Sequence, residues 1–181
     1  MKRSIKFLLA ITILLVIIFA IYYTFFNNSN SNSHSIGINI GNLAPDIKLY
    51  LTNGQIINLS YFRGQNVLLW FVATWCSSCQ IGAQMLSSNY YQILHNKGYI
   101  IIVVELYNDL GQPGPSIEAF AEQFGGGFKS GWFYATSTQE ATLIYDPNGY
   151  LDIFYVINKN GIIIQKGYDL PASLPNLINS L

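Results

Sequence analysis

The sequence predicts an α/β sandwich, a sheet with helices on both faces, preceded by one membrane-spanning helix. Three observations carry this. Two apolar runs, residues 67–73 (VLLWFVA) and 99–106 (YIIIVVEL, interrupted only by Glu105), read as strands buried on both faces. The segments alternating with them have helical spacing, in the order β–α–β and then β–β–α. Residues 7–26 (FLLAITILLVIIFAIYYTFF) carry no charge, and a helix of that length covers roughly 30 Å, the thickness of a bilayer's hydrocarbon core.

Taken in order, residues 1–6 are a basic flank with Lys2, Arg3 and Lys6, and no basic residue follows the apolar run closely. The positive-inside rule therefore keeps the N-terminus cytoplasmic and sends the rest of the chain outside, as a single-pass membrane protein. A cleaved signal peptide is the competing reading. Against it stand the length of the run and the residues Tyr22, Tyr23, Phe25 and Phe26 where small residues would mark a cleavage site. Residues 27–35 (NNSNSNSHS) are polar and low in complexity, a flexible tether in which His34 is a linker residue rather than a ligand. Residues 36–181 suffice for one domain. The 181-residue chain has nine basic and nine acidic side chains and no basic patch, which argues against a nucleic-acid partner.

Within the domain, residues 47–51 and 56–59 form a hairpin around Asn53-Gly54. Residues 67–73 follow as a central strand, then one helix from Cys76 to about Asn96, with Ile81, Met85, Leu86, Ile93 and Leu94 as its core contacts. After the strand 99–106 come a helix at 115–124, a short strand at 132–135 and a helical turn at 139–145. A hairpin, 151–157 with 162–167, turns at Asn158–Gly161, and a helix at 171–181 closes the domain.

The chemistry lies in Trp75-Cys76-Ser77-Ser78-Cys79, which holds the only two cysteines of the chain. A strand feeding Cys-x-x-Cys at a helix start places the first sulfur against free N–H groups and the positive end of the helix dipole, which stabilises a thiolate at Cys76. Cys79, one turn on, is close enough to close the disulfide. As a structural staple so short a loop contributes little, because the stabilisation grows with loop length. A zinc site would need further ligands, and His34 and His95 are the only histidines. No metal and no cofactor are expected. The residues point to exchange with protein thiols and disulfides.

Gly-x-x-Ala-Pro-Asp at 41–46, Leu-Ser-x-Phe-Arg-Gly at 59–64, the apolar strand with Ala-Thr-Trp-Cys-x-x-Cys at 67–79, and Ile-Asn-x-x-Gly at 157–161 together resemble the membrane-anchored thioredoxin-like thiol–disulfide oxidoreductases. The resemblance implies a thioredoxin fold, a central mixed β-sheet flanked by helices. It implies extracytoplasmic disulfide exchange with Cys76 attacking and Cys79 resolving, and a redox partner that recycles the dithiol. In parts of that family the role is cytochrome maturation or oxidative folding.

Three departures from the pattern stand out. Counting back from Ile157-Asn158-x-x-Gly161, Asp152 occupies the position of the family's cis-proline. A carboxylate beside the sulfurs would raise the pKa of Cys76 and oppose the helix dipole; the alternative has Asp152 facing solvent. Trp70 stands where thioredoxins place a buried aspartate, and Glu105, at the end of its strand on the edge where such sheets gather their sites, is the candidate replacement. Ser77-Ser78 between the cysteines offers hydroxyls to a thiolate in place of the common proline. Trp75 would shield the sulfurs. Three further classes compete: a peroxiredoxin, whose pattern wants Pro and Thr where the chain has Leu69 and Ala73; a copper chaperone, which wants Cys-x-x-x-Cys and a later His where the chain has Cys-x-x-Cys and no His after His95; and a non-catalytic tethered interaction domain.

Overall fold

The computed structural model describes residues 12–23 and 34–181. Residues 12–23 are helical (α1), with every side chain exposed. The basic flank, residues 7–11 and 24–26 of the expected span, and residues 27–33 of the tether lie outside the described residues. Among the described residues no helix is long and apolar enough to cross a membrane.

The second unit, His34–Leu181, begins two residues before the expected boundary. His34 Nδ1 lies 2.8 Å from the Gly41 carbonyl, and the Ser35 hydroxyl donates to Asn42 Oδ1. Its strands are β1 (Lys48–Leu51), β2 (Ile56–Asn58), β3 (Asn66–Val72), β4 (Tyr99–Glu105), β5 (Trp132–Ser137), β6 (Asp152–Ile157) and β7 (Ile163–Tyr168). They form one mixed sheet in the order β2-β1-β5-β4-β3-β6-β7. The neighbours β3, β4 and β5 are parallel, and the other pairs antiparallel. The two apolar runs are adjacent central strands, and residues 67–72 are all buried. The predicted α/β mixed sheet is thus present.

Helices α2 (Ser77–Met85), α3 (Tyr91–Asn96), α4 (Ile117–Gln123), α5 (Gln139–Tyr145) and α6 (Leu170–Ser180) complete the unit. Instead of one helix from Cys76 to Asn96, a π turn at Leu86–Tyr90 separates α2 from α3. The buried residues explain it. Leu86 and Leu94 both face the core, but eight residues exceed two α-helical turns, and the wider turn absorbs the surplus. The buried face of α2 holds Cys79, Gly82 and Ala83, and the expected core contacts Ile81 in α2 and Ile93 in α3 are exposed instead. Small residues are required on the buried face. A Cβ on Gly82 would stand 3.0 Å from Trp70 Cη2 and 3.2 Å from Pro171 Cδ.

The sequence motifs are tertiary contacts. Asp46 accepts from the Ser60 N–H and hydroxyl, both at 2.8 Å, and so joins the first motif to the second. Arg63 Nη1 donates to the Asn160 carbonyl, and its guanidinium fills the space above Gly161, where φ is 79°. These bonds bring the motif at 59–64 against the β6–β7 turn.

Candidate active site

Cys76 is the N-cap residue of α2, in extended conformation with φ −74° and ψ 122°. Its sulfur accepts from the Cys79 backbone N–H at 3.5 Å, satisfying a donor that the helix start leaves unpaired. Both thiols are free. Cys76 is 6 % exposed and Cys79 fully buried, so only Cys76 presents surface to an incoming group.

The residues before Cys76 are held from a connector. Both oxygens of buried Asp109 accept from Thr74, from its N–H at 2.8 Å and from its hydroxyl, and the Trp75 indole N–H donates to the Asp109 carbonyl at 2.9 Å. Gly114 lies over the same spot, where a Cβ would stand 2.3 Å from Thr74 Oγ1. Asn108, Asp109 and Leu110 all take positive φ, between 47° and 57°. Asp109 and Gly114 are site residues that the sequence reading missed. The left-handed tolerance of Asn-Asp is a local signal for a turn there, but nothing local says that the carboxylate reaches back to residue 74.

The Cys76 thiol is pushed down from 9.0 to about 6. A hydrogen bond from the Cys79 thiol contributes most; Ser78 and the Cys79 N–H add to it, while burial and the charge of Asp152 oppose it. Cys79 is driven strongly upward, first by burial, then by its bond to Cys76 and by the charge of Asp152. Its single proton has a second acceptor, the Leu151 carbonyl at 2.9 Å. The two cysteines are thus poised oppositely, one toward thiolate and one toward thiol.

Asp152 lies by the sulfurs and does not face solvent. Its carboxylate is buried, with Oδ1 accepting from the Trp70 indole N–H at 2.6 Å and the Leu170 N–H at 3.2 Å. Oδ2 accepts from the Ser78 hydroxyl at 3.2 Å, and that hydroxyl lies 3.1 Å from Cys76 Sγ. All peptide bonds among the described residues are trans. The indole at position 70 therefore binds a carboxylate supplied by β6, across the strand pair Trp70↔Phe154 and Val72↔Asp152. Burial pushes the Asp152 pKa up against its three donors. Ser77, by contrast, is exposed.

Glu105 sits at the predicted sheet edge, in register with Val72 and Thr136, but its electrostatic neighbours are Asp109 and Glu118 rather than the cysteines. Burial first, and then those two acids, raise it from 4.5 to about 7. A raised carboxyl costs the fold stability only where it is ionised, so the penalty enters above pH 4.5 and is complete above about 7. Glu105→Gln is accordingly expected to raise the melting temperature at pH 8 and leave it unchanged at pH 4, read from thermal melts at both.

Comparison with known proteins gives the family and the fold. The family model described as AhpC/TSA matches residues 40–166. The thiol-disulfide oxidoreductase ResA of Geobacillus kaustophilus is 32% identical over 165 residues, covering 91% of this chain and 88% of that protein. ResA of Bacillus subtilis is 31% identical over 165 residues, covering 91% and 86%. The thioredoxin domain of a thiol-disulfide oxidoreductase from Bacteroides vulgatus superposes with a TM-score of 0.56 at 22% identity, over 79% of this chain and 100% of that one. The chain belongs to the AhpC/TSA family and is a protein thiol–disulfide oxidoreductase of thioredoxin-like fold.

Proposed function

We propose that this oxidoreductase works outside the cytoplasm, tethered through residues 7–26, with Cys76 as its attacking nucleophile and Cys79 as its resolving thiol. The observation that carries the assignment is the opposite poise of the two sulfurs: Cys76 caps a helix, keeps some exposed surface and is lowered to about 6, while Cys79 is buried and held as thiol. A thiolate is the nucleophile in exchange, and a shifted thiol near ambient pH combines thiolate population with reactivity.

The reaction runs in two displacements. The Cys76 thiolate attacks one sulfur of a substrate disulfide; the S–S bond breaks, a mixed disulfide forms, and the other substrate sulfur leaves as thiolate. Cys79 then loses its proton, attacks Cys76 Sγ and releases the second substrate thiol. Two electrons have passed to the substrate, and a separate dithiol partner returns them to the Cys76–Cys79 disulfide. Trp75, half-buried and fixed by Asp109, directly precedes Cys76 in the chain and would shield it from solvent. The tether rests on the charge-free run 7–26 and its basic flank.

A membrane-impermeant maleimide applied to intact cells expressing the full chain tests the location. Cys76 is expected to be labelled before lysis. Labelling that appears only after lysis would overturn the extracytoplasmic placement while leaving the exchange chemistry standing.

A further inference from the structure

We infer that the Ser78 hydroxyl is a proton relay between Cys76 and Asp152, so that the nucleophile is armed by passing its proton to a buried carboxyl on β6 rather than to solvent. This rests on Cys76 being the attacking thiol.

The geometry sets up a competition for one proton. Ser78 Oγ lies 3.1 Å from Cys76 Sγ and 3.2 Å from Asp152 Oδ2, and it has a single hydrogen to give. If that hydrogen goes to the carboxylate, the hydroxyl oxygen accepts from the Cys76 S–H. If it goes to a Cys76 thiolate, the hydroxyl oxygen accepts from a protonated Asp152. The two arrangements hold the same number of protons. Conversion breaks the Cys76 S–H bond and the Ser78 O–H bond, and forms a new Ser78 O–H bond and an O–H bond on Oδ2. No external acid or base takes part.

Asp152 is built for this. The Trp70 and Leu170 N–H groups both donate to Oδ1, which leaves Oδ2, the oxygen toward Ser78, as the free protonation site. None of its three donors carries a charge, and the carboxyl is buried, which raises its affinity for a proton. The titratable groups facing the relay are Cys76 and Cys79 from α2 and Asp169 from the turn before α6; Trp70, from β3, adds only an uncharged donor. No cation among them fixes Asp152 as an anion.

The test uses the full-length, fully reduced protein in mild detergent. The rate of Cys76 alkylation by iodoacetamide is followed against pH for the native protein, Ser78→Ala, Asp152→Asn and the double variant, with the alkylated residue mapped by mass spectrometry. Infrared spectra of the native protein follow the Cys76 S–H stretch and the neutral carboxyl stretch of residue 152, assigned by its absence in Asp152→Asn. Ser78→Ala is expected to raise the midpoint of Cys76 reactivity by about one pH unit, the loss of one hydrogen bond to a charged group. Ser78→Thr should restore it. Asp152→Asn should lower the midpoint further with Ser78 present than with Ala at 78, and the two infrared bands should fade over the same pH interval.

Equal shifts in the two backgrounds would overturn the relay and leave Asp152 a through-space charge. A residue 152 carboxyl fully ionised before the S–H band begins to fade would overturn it equally, without any variant at Ser78. Alkylation mapping to Cys79 instead of Cys76 would remove the nucleophile assignment and the relay together.

Discussion

Replacing Cys79 by Ala is expected to arrest the enzyme as a covalent mixed disulfide with its substrate, visible as a reducible adduct on a non-reducing gel. Replacing Cys76 by Ala is expected to give no adduct. Either change should reduce turnover to background, a loss of about a thousandfold or more, because each removes a step that water and the remaining thiol do not replace. The asymmetry is the informative part. In Cys76→Ala the remaining thiol is buried and held protonated, so it does not take over the attack. In Cys79→Ala the attacking sulfur survives but loses the hydrogen bond that lowers it most. Adduct formation in that variant should therefore be slower than native at pH 6 and approach the native rate at about pH 9, where the thiolate forms unaided. Equal adduct yields from the two variants would reverse or abolish the assigned roles.

Trp70→Ala is expected to produce the largest loss of stability of any single change in the sheet. The indole is fully buried, with its ring edge against Gly82 of α2, and deletion of so large a side chain costs about 3–5 kcal/mol. That is a large share of the roughly 5–15 kcal/mol available to a folded domain. Trp70→Phe separates the two contributions. It keeps much of the ring volume but leaves Asp152 Oδ1 with only the Leu170 N–H, at a cost of about 1–3 kcal/mol. The lost donor matters most for an ionised Asp152. The Phe deficit should therefore be small in acid and grow as the pH rises through the native Asp152 pKa, which burial has raised. Urea unfolding at acid and neutral pH measures both variants; a deficit independent of pH would mean that the indole N–H contributes nothing to holding the carboxylate.

Much of this was legible from the chain because several signals agreed. The runs at 67–73 and 99–106 read as buried strands and are the central pair of the sheet, and among the motif residues Asp46 binds Ser60 while Arg63 lies over Gly161. Cys76 and Cys79 follow from spacing and context alone. The supporting residues were harder for a physical reason. Asp152 and Trp70 are 82 positions apart and Thr74 and Asp109 are 35 apart, so each pair exists only through strand pairing or a connector's return. The count from Gly161 marks position 152 and the motif marks Trp70 as departures, yet only the β3–β6 register shows that these two departures answer each other. Glu105, expected as the replacement acid, lies on the other neighbour of β3, and its electrostatic neighbours are Asp109 and Glu118. The helix broken by a π turn was unreadable because Ile81 and Ile93 suit a core face as well as the smaller Gly82 and Ala83 do.

The margins of the sheet bear on how copies of this protein behave when crowded. An open strand edge is a template for a neighbour's backbone, and long flat edges invite aggregation. Here β2, at one margin, is three residues long. At the other, the start of β7 is already engaged, with the Gly41 N–H donating to the Ile163 carbonyl and the Ile163 N–H to Asn42. A register shift between Val156 and Ile157 further distorts the β6–β7 ladder. A short β2 and a covered start of β7 thus leave a neighbouring molecule less backbone to pair with than two open full-length edges would.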